Sequence, residues 1–412
     1  MYKVISDDSR LPIFTYVWGA VAALLFSYAN ENAFLIICGL ALMLLALVFM
    51  KFEDLFLFSM LLFPLLMKIK IPGYSMAIYG YFLIAVSLKY FLSHKIKLNA
   101  SVLIHFVCAC ITVMIYGQLS LFTSLIRAVV LLVLIFTLFR QNSFFMRKEY
   151  IERIIIAVLI GAAIFSSALL FGFLAERNYA TSTFPCIIAA AILLLLNTTK
   201  SKVLVGALSF VTALGVLSVS SRTAFISLLC VAFIPLFAMF VKGKRQYLLK
   251  FTLVLLVVLL VFSGIIMPML DAVLERFDDD DVSSANGRTD AWIYYVDLTL
   301  STPIRFLFGN GFNSEYVDND SSGIEIAEHN TFVQVFSTLG VVGSITLLVV
   351  YLSIFSQIVK GFGKIRFYSL IPLLCAAICY FGISSLYADA FHFSMLLATL
   401  SIRYCKLCDM HP

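Results

Sequence analysis

The side chains best suited to chemistry in this chain gather in and beside one interval, 268–330. His329, in the run Glu328-His329-Asn330, stands at the doorstep of a long apolar segment that begins at Thr331. An imidazole at such an edge is half desolvated and near neutral, the state a general base requires. Glu328 and Asn330 are placed to orient it. Arg222, in VSSRTAF, lies where one apolar segment turns into the next, and Arg288, in ANGRTDAW, opens an amphipathic run. An arginine close to hydrocarbon is costly and usually has a partner. Its guanidinium fork matches a phosphate or pyrophosphate better than lysine would. Arg177, in ERNYATSTFP, is a third arginine of this kind. The plainer alternatives are a solvated loop histidine and arginines that snorkel to lipid headgroups.

Other constellations carry less. Adjacent carboxylates such as the aspartates at 278–281 can bind Mg²⁺ or Ca²⁺, but four in succession point in several directions and read equally well as a solvated charge run. Cys405, Cys408 and His411 form C-x2-C-x2-H at the tail. A structural zinc site wants four ligands, so a frayed tail is the better reading and no metal or other cofactor is assigned. Asp389 and His392, placed at an outer turn, make a loop pair or a second acid/base. The remaining cysteines fall mostly inside apolar runs, where a thiol is a small hydrophobe.

These residues need a membrane scaffold to hold them. With 62% hydrophobic and 13% charged residues over 412 positions, the chain carries more apolar surface than one water-soluble core hides. The expectation is an all-α, polytopic transmembrane protein of about 14 spans forming a single domain, 1–412. A span needs about 20 apolar residues, and the windows are 12–28, 34–50, 54–71, 74–92, 100–116, 121–139, 151–173, 184–197, 203–219, 223–241, 248–267, 331–358, 368–386 and 391–404. Pro64 and two lysines weaken the third of these, and the eighth is short. The first apolar run lacks a small-residue cleavage site and is read as a retained span.

Charge sets the orientation. The interval 268–330, between spans 11 and 12, holds 13 of the 23 acidic residues and only three basic ones, Arg276, Arg288 and Arg305. Elsewhere basic clusters at Lys95/Lys97, Arg140/Arg147/Lys148/Arg153, Lys200/Lys202, Lys242/Lys244/Arg245, Lys360/Lys364/Arg366 and Arg403/Lys406 all fall on one side of a 14-span arrangement. By the positive-inside rule that side is cytoplasmic. Both termini are then inside and the acidic interval is outside, as a large, partly helical periplasmic loop. Lys68 and Lys70 are the exception, at an outer edge.

Within the loop, Asn286 is a plausible cap for a helix over 287–300, closed by Ser301-Thr302-Pro303. Arg288, Trp292 and Tyr295 share one stripe of it, an arrangement suited to the membrane–water interface. Gly309 and Gly311 favour a tight turn or close backbone approach.

Three patterns taken together are specific: SSRTA around Arg222; R-F-D…GR-x3-W…P-x5-G-x-G in the loop; and HN-x3-Q-x4-LG-x2-G from His329 to Gly343. Over about 219–343 the chain resembles the O-antigen polymerase and ligase superfamily, of the Wzy/WaaL type. The resemblance implies a metal-independent membrane glycosyltransferase in the bacterial inner membrane, active at the periplasmic face on undecaprenyl-pyrophosphate-linked glycans. It implies Arg222 and Arg288 as diphosphate-binding and His329 as catalytic base, with Arg177, Trp292 and Asn330 as further substrate contacts. A polymerase, which joins lipid-linked repeats, is favoured by the span count. A ligase, which transfers the chain to lipid A-core, is the alternative, and a chain-length regulator is a possible protein partner. A lipid-linked glycan flippase, which calls for paired polar residues near the midplane, is the lesser alternative. Nothing in the acidic, membrane-bound interval points to nucleic acid.

Overall fold

The computed structural model describes residues 13–29, 32–65, 69, 78–96, 98–116, 122–141, 147–174, 177–197, 202–241, 249, 252–253, 256–257, 260–278, 288–311, 317–319, 324–326, 330–359, 367–381 and 389–410. It is helical almost throughout. The helices are α1 (Ile13–Tyr28), α2 (Ala33–Phe49), α3 (Phe52–Leu62), α4 (Tyr79–Ser93), α5 (Ala100–Tyr116), α6 (Phe122–Gln141), α7 (Lys148–Leu170) and α8 (Arg177–Leu196). They continue with α9 (Lys202–Ser218), α10 (Arg222–Val241), α11 (Ser263–Asp278), α12 (Arg288–Leu300), α13 (Pro303–Phe308), α14 (Thr331–Val359), α15 (Ile371–Phe381) and α16 (Asp389–Met410). A small antiparallel hairpin, β1 (Val317–Asn319) with β2 (Ile324–Ile326), pairs Asp318 with Glu325.

A chain this apolar has few ways to satisfy its backbone. Only a helix pairs every amide within its own segment, which hydrocarbon demands. The outward faces are correspondingly greasy: Phe34, Phe49, Leu92, Met114 and Val203 all stand exposed, Leu92 at 89%. Such a surface belongs in lipid and not in water. This is a helical membrane-type protein. Lys148–Leu170 and Thr331–Ser356 are each long and apolar enough to cross a bilayer, and eight shorter apolar helices of 10–17 residues accompany them.

Helix α7 stands at the centre, against α1, α3, α8 and α9. Its inward residues Ile151, Ile154, Ile155, Val158, Ala162 and Phe165 recur at helical spacing. At Gly161 an added Cβ would lie 1.9 Å from the Leu61 carbonyl oxygen, so α3 and α7 meet backbone to backbone. Small residues at crossings are what helix association inside lipid requires.

Several expected boundaries move. The window 54–71 is not one helix: α3 ends at Leu62 in a 3₁₀ turn, Phe63–Leu65, around Pro64. Proline lacks the amide that would continue the helix. Its 11 residues reach only ~17 Å against a hydrocarbon core of ~30 Å, and every residue from Leu55 to Leu62 is buried. Helix α8 starts at Arg177, seven residues before the expected window, and runs through Pro185. Helix α11 likewise carries through Pro268, so the expected start of the outer interval falls inside an element. The tail is not frayed: α16 continues to Met410, with Arg403, Tyr404, Cys405 and Lys406 buried. Cys405 is buried there, its sulfur accepting a hydrogen bond from Asn197 Nδ2 at 3.6 Å. His411 and Asp279 to Asp281 lie outside the described residues.

Candidate functional site

Arg222 is the first residue of α10, while α8 is described from Arg177 and α12 from Arg288. At Arg222 the reason is visible in the sequence. Ser220 takes a left-handed conformation, φ 52°, which turns the chain out of α9. Ser221 then caps α10, its carbonyl accepting from Phe225 N–H at 2.9 Å and its Oγ from Ala224 N–H at 3.5 Å. Serine is a preferred residue for that position. The unpaired amides of a helix N-terminus attract anions, and a guanidinium beside them adds a full positive charge.

Packing links the start of α10 to α12. Helices α8, α9 and α10 all contact one another, and the short link 219–221 turns α10 back from the end of α9. Helix α15 packs on α10 through Ser227, whose Oγ is 3.3 Å from Cys379 Sγ and whose carbonyl accepts from Cys375 Sγ at 3.8 Å. Helix carbonyls point to the C-terminus and Cβ atoms to the N-terminus, so α15 runs antiparallel to α10 and finishes at Phe381 beside the Arg222 end. There the Trp292 ring meets Phe381 edge to face, centroids 5.4 Å apart at 75°. Arg288 is one turn before Trp292 on the same stripe, and Tyr295 below it is buried. The side chain of Arg177 is outside the described residues, as are Glu328 and His329.

Asn330 directly follows His329 and is fixed. Its Oδ1 accepts from Phe332 N–H at 2.9 Å and Val333 N–H at 3.2 Å, capping α14. That oxygen is therefore structural, and any role toward substrate falls to the amide nitrogen.

Below Asn330, α14 breaks at Gly340, φ 65° and ψ −169°. The break strands the carbonyls at the end of its first segment, and a glycine turn fills the gap. Asn310 N–H donates to the Ser337 carbonyl at 2.6 Å and Gly311 N–H to that of Thr338 at 3.2 Å. A Cβ on Gly309, φ 77°, would lie 2.2 Å from the Thr338 oxygen. The expected tight turn and the expected close approach are both present. Tyr116 Oη and Thr112 Oγ1 on α5 donate to the carbonyls of Gly309 and Phe308, at 2.5 and 3.1 Å. Asn310 Nδ2 reaches Thr299 Oγ1 at 2.8 Å, tying the turn back to α12. One connected piece thus carries Arg288, Trp292 and the residue that precedes Thr331.

Residues 207–348 match the Wzy_C family model, O-Antigen ligase. The Wzy_C region covers roughly a third of the chain and includes Arg222, Arg288, Trp292, His329 and Asn330. It encloses the 219–343 stretch on which the resemblance to the O-antigen polymerase and ligase superfamily rests, and that resemblance is shown. No curated protein and no solved structure matches the chain.

The sequence did not expose the partners of the Wzy_C region. Thr112 and Tyr116 stand 196 and 193 residues from the carbonyls they hold, and only the FGNGF spacing hinted that something must come close. His392 is also not in a turn. It is buried in α16, with Nδ1 2.5 Å from Tyr351 Oη on α14. His105, in α5, is buried against Thr346 Oγ1 at 3.0 Å. His105, the sixth residue of α5, lies inside that helix, whereas His392, the fourth of α16, lies near its start.

Proposed function

We propose that the chain is an inner-membrane glycosyltransferase that takes a glycan from undecaprenyl pyrophosphate and joins it to an acceptor hydroxyl at the periplasmic face. That both termini are cytoplasmic belongs to the same proposal. The observation that carries the reading is Arg222 at the N-terminus of α10, linked through α15 and Phe381 to the Trp292 that follows Arg288, all but α15 within the stretch that matches an O-antigen ligase family.

The chemistry follows from those groups. The acceptor oxygen attacks the anomeric carbon as the bond from that carbon to the pyrophosphate oxygen breaks. His329 takes the hydroxyl proton as general base. Arg222 and Arg288 hold the diphosphate through charge-assisted hydrogen bonds that strengthen as negative charge develops on it. Arg177 adds to the same field, Trp292 lines the approach, and the Asn330 amide nitrogen faces the substrate. Guanidinium supplies the positive charge, so the step needs no nucleotide, ATP or metal.

The polymerase reading, joining lipid-linked repeats, stands first because it fits the larger number of spans. The matched family model is described as O-Antigen ligase, and a ligase that transfers the chain to lipid A-core is the second reading. A deletion strain separates them: lipopolysaccharide capped with single repeats identifies a polymerase, and bare core with accumulated lipid-linked polymer a ligase. His329→Ala, at wild-type membrane abundance, is expected to abolish long glycan chains on a gel. Unchanged chains would remove His329 from the mechanism.

A further inference from the structure

A cavity of about 270 Å³ that the reaction does not use lies inside the bundle, between α6, α14, α15 and α16. Its walls are almost wholly apolar, although Tyr351, His392 and Thr399 line it. The reason is that their polar atoms are turned to the protein. Tyr351 Oη and His392 Nδ1 bond one another, and Thr399 Oγ1 bonds the Met395 carbonyl. A cavity with apolar walls stays dry, and an empty one forfeits the dispersion contacts of its lining. Hydrocarbon is the occupant that suits it.

Its shape narrows the choice. On α16 the lining runs from His392 to Ile402, which at 1.5 Å per residue is a slot ~15 Å long. It lies between Asp389 and Arg403, the charged residues bounding the apolar run of α16, and so straddles the middle of a hydrocarbon core ~30 Å thick. A phospholipid acyl chain anchored in one leaflet ends near that midplane. On α14 the lining residues Leu348 and Leu352 are exposed, at 58% and 55%, so the slot opens sideways to lipid.

We infer that this slot holds the polyisoprenoid chain of the lipid-linked donor, a chain longer than one leaflet that enters laterally past Leu348 and Leu352. The inference rests on the proposed function for the identity of the lipid. It makes donor chain length a specificity determinant set inside the membrane, well below the diphosphate.

Two readouts test it on the full-length protein in phosphatidylethanolamine–phosphatidylglycerol nanodiscs. In the first, the same glycan pyrophosphate is presented on an undecaprenyl chain and on a chain of two isoprene units. The long donor is expected to have a kcat/KM roughly tenfold higher, as if a few more methylenes were buried. Leu352→Trp, a plug at an exposed position, should bring that ratio close to one, and Thr399→Leu, which fills the slot from the other wall, should lower it. Equal use of both donors by the wild type, or a ratio unmoved by both variants, overturns the slot while leaving the transferase reading intact. In the second, undecaprenyl phosphate carrying a terminal diazirine is photolysed, needing no turnover. Labelling of the α16 peptide that Leu352→Trp suppresses supports the slot even if transfer itself is never observed. Labelling by an acyl-chain diazirine of phosphatidylglycerol instead, or by neither probe, overturns it.

Discussion

A cation at the first residue of a helix opposes the helix dipole and costs about 0.3–1 kcal/mol. The chain accepts that cost at Arg222. In the proposed reaction that cost is offset by holding the diphosphate. Arg222→Ala should therefore leave the thermal unfolding midpoint of the detergent-solubilised protein within a few degrees of wild type. It should lower glycan transfer ~10²-fold or more, the loss typical when a charge-stabilising donor is removed. Arg222→Lys should recover little, because a point charge does not reproduce the two-pronged hydrogen bonding of guanidinium. Asn330 separates structure from contact with substrate. Asn330→Ala removes the α14 cap and should cost about 1 kcal/mol. Asn330→Asp keeps an accepting oxygen in that place, so it should preserve stability in a denaturation scan. If the amide nitrogen touches substrate, the aspartate variant still loses activity.

Between elements, the decisive contact is the glycine turn seated in the break of α14. Gly340→Ala would set a methyl 2.5 Å from the Gly309 nitrogen at a φ of +65°, a backbone conformation that alone costs ~1–3 kcal/mol for a residue with a side chain. The variant should express poorly and unfold well below wild type in a thermal scan, with transfer lost in proportion to the folded fraction. Tyr116→Phe tests the same joint gently. It removes the donor to the Gly309 carbonyl and should cost about 1 kcal/mol. FGNGF announced a tight turn because glycine spacing is a local property of backbone sterics. Its seat on Ser337 and Thr338, and its clasp by Tyr116, were not legible, because no periodicity records which distant helix a turn will meet. The same limit applies to His392. Its neighbour Asp389 and its place after a predicted turn read as loop, and only the packing of α14 on α16 shows Tyr351 waiting for it.

Taken whole, the molecule is a bundle whose charges predict its orientation. Ser301, past the end of α12, and Lys202, at the start of α9, are both exposed and belong to opposite sides in the positive-inside reading. In a background with the nine cysteines replaced, Ser301→Cys should react with an impermeant maleimide on intact spheroplasts, and Lys202→Cys only after permeabilisation. The reverse pattern would put the arginine end in the cytoplasm and end the periplasmic reading. Composition made the helical membrane class plain, since 62% apolar residues leave few other folds. It could not show that α3, as apolar as its neighbours, never meets lipid. Its eight residues from Leu55 are enclosed by α1, α4 and α7. That enclosure bears on how the chain is made. A segment with no outward face gains nothing from the bilayer on leaving the insertion machinery, and of its two main companions, α1 and α7, the second begins only at residue 148. The amino-terminal helices must therefore wait, sheltered by the translocon or a chaperone, until α7 arrives to close around them.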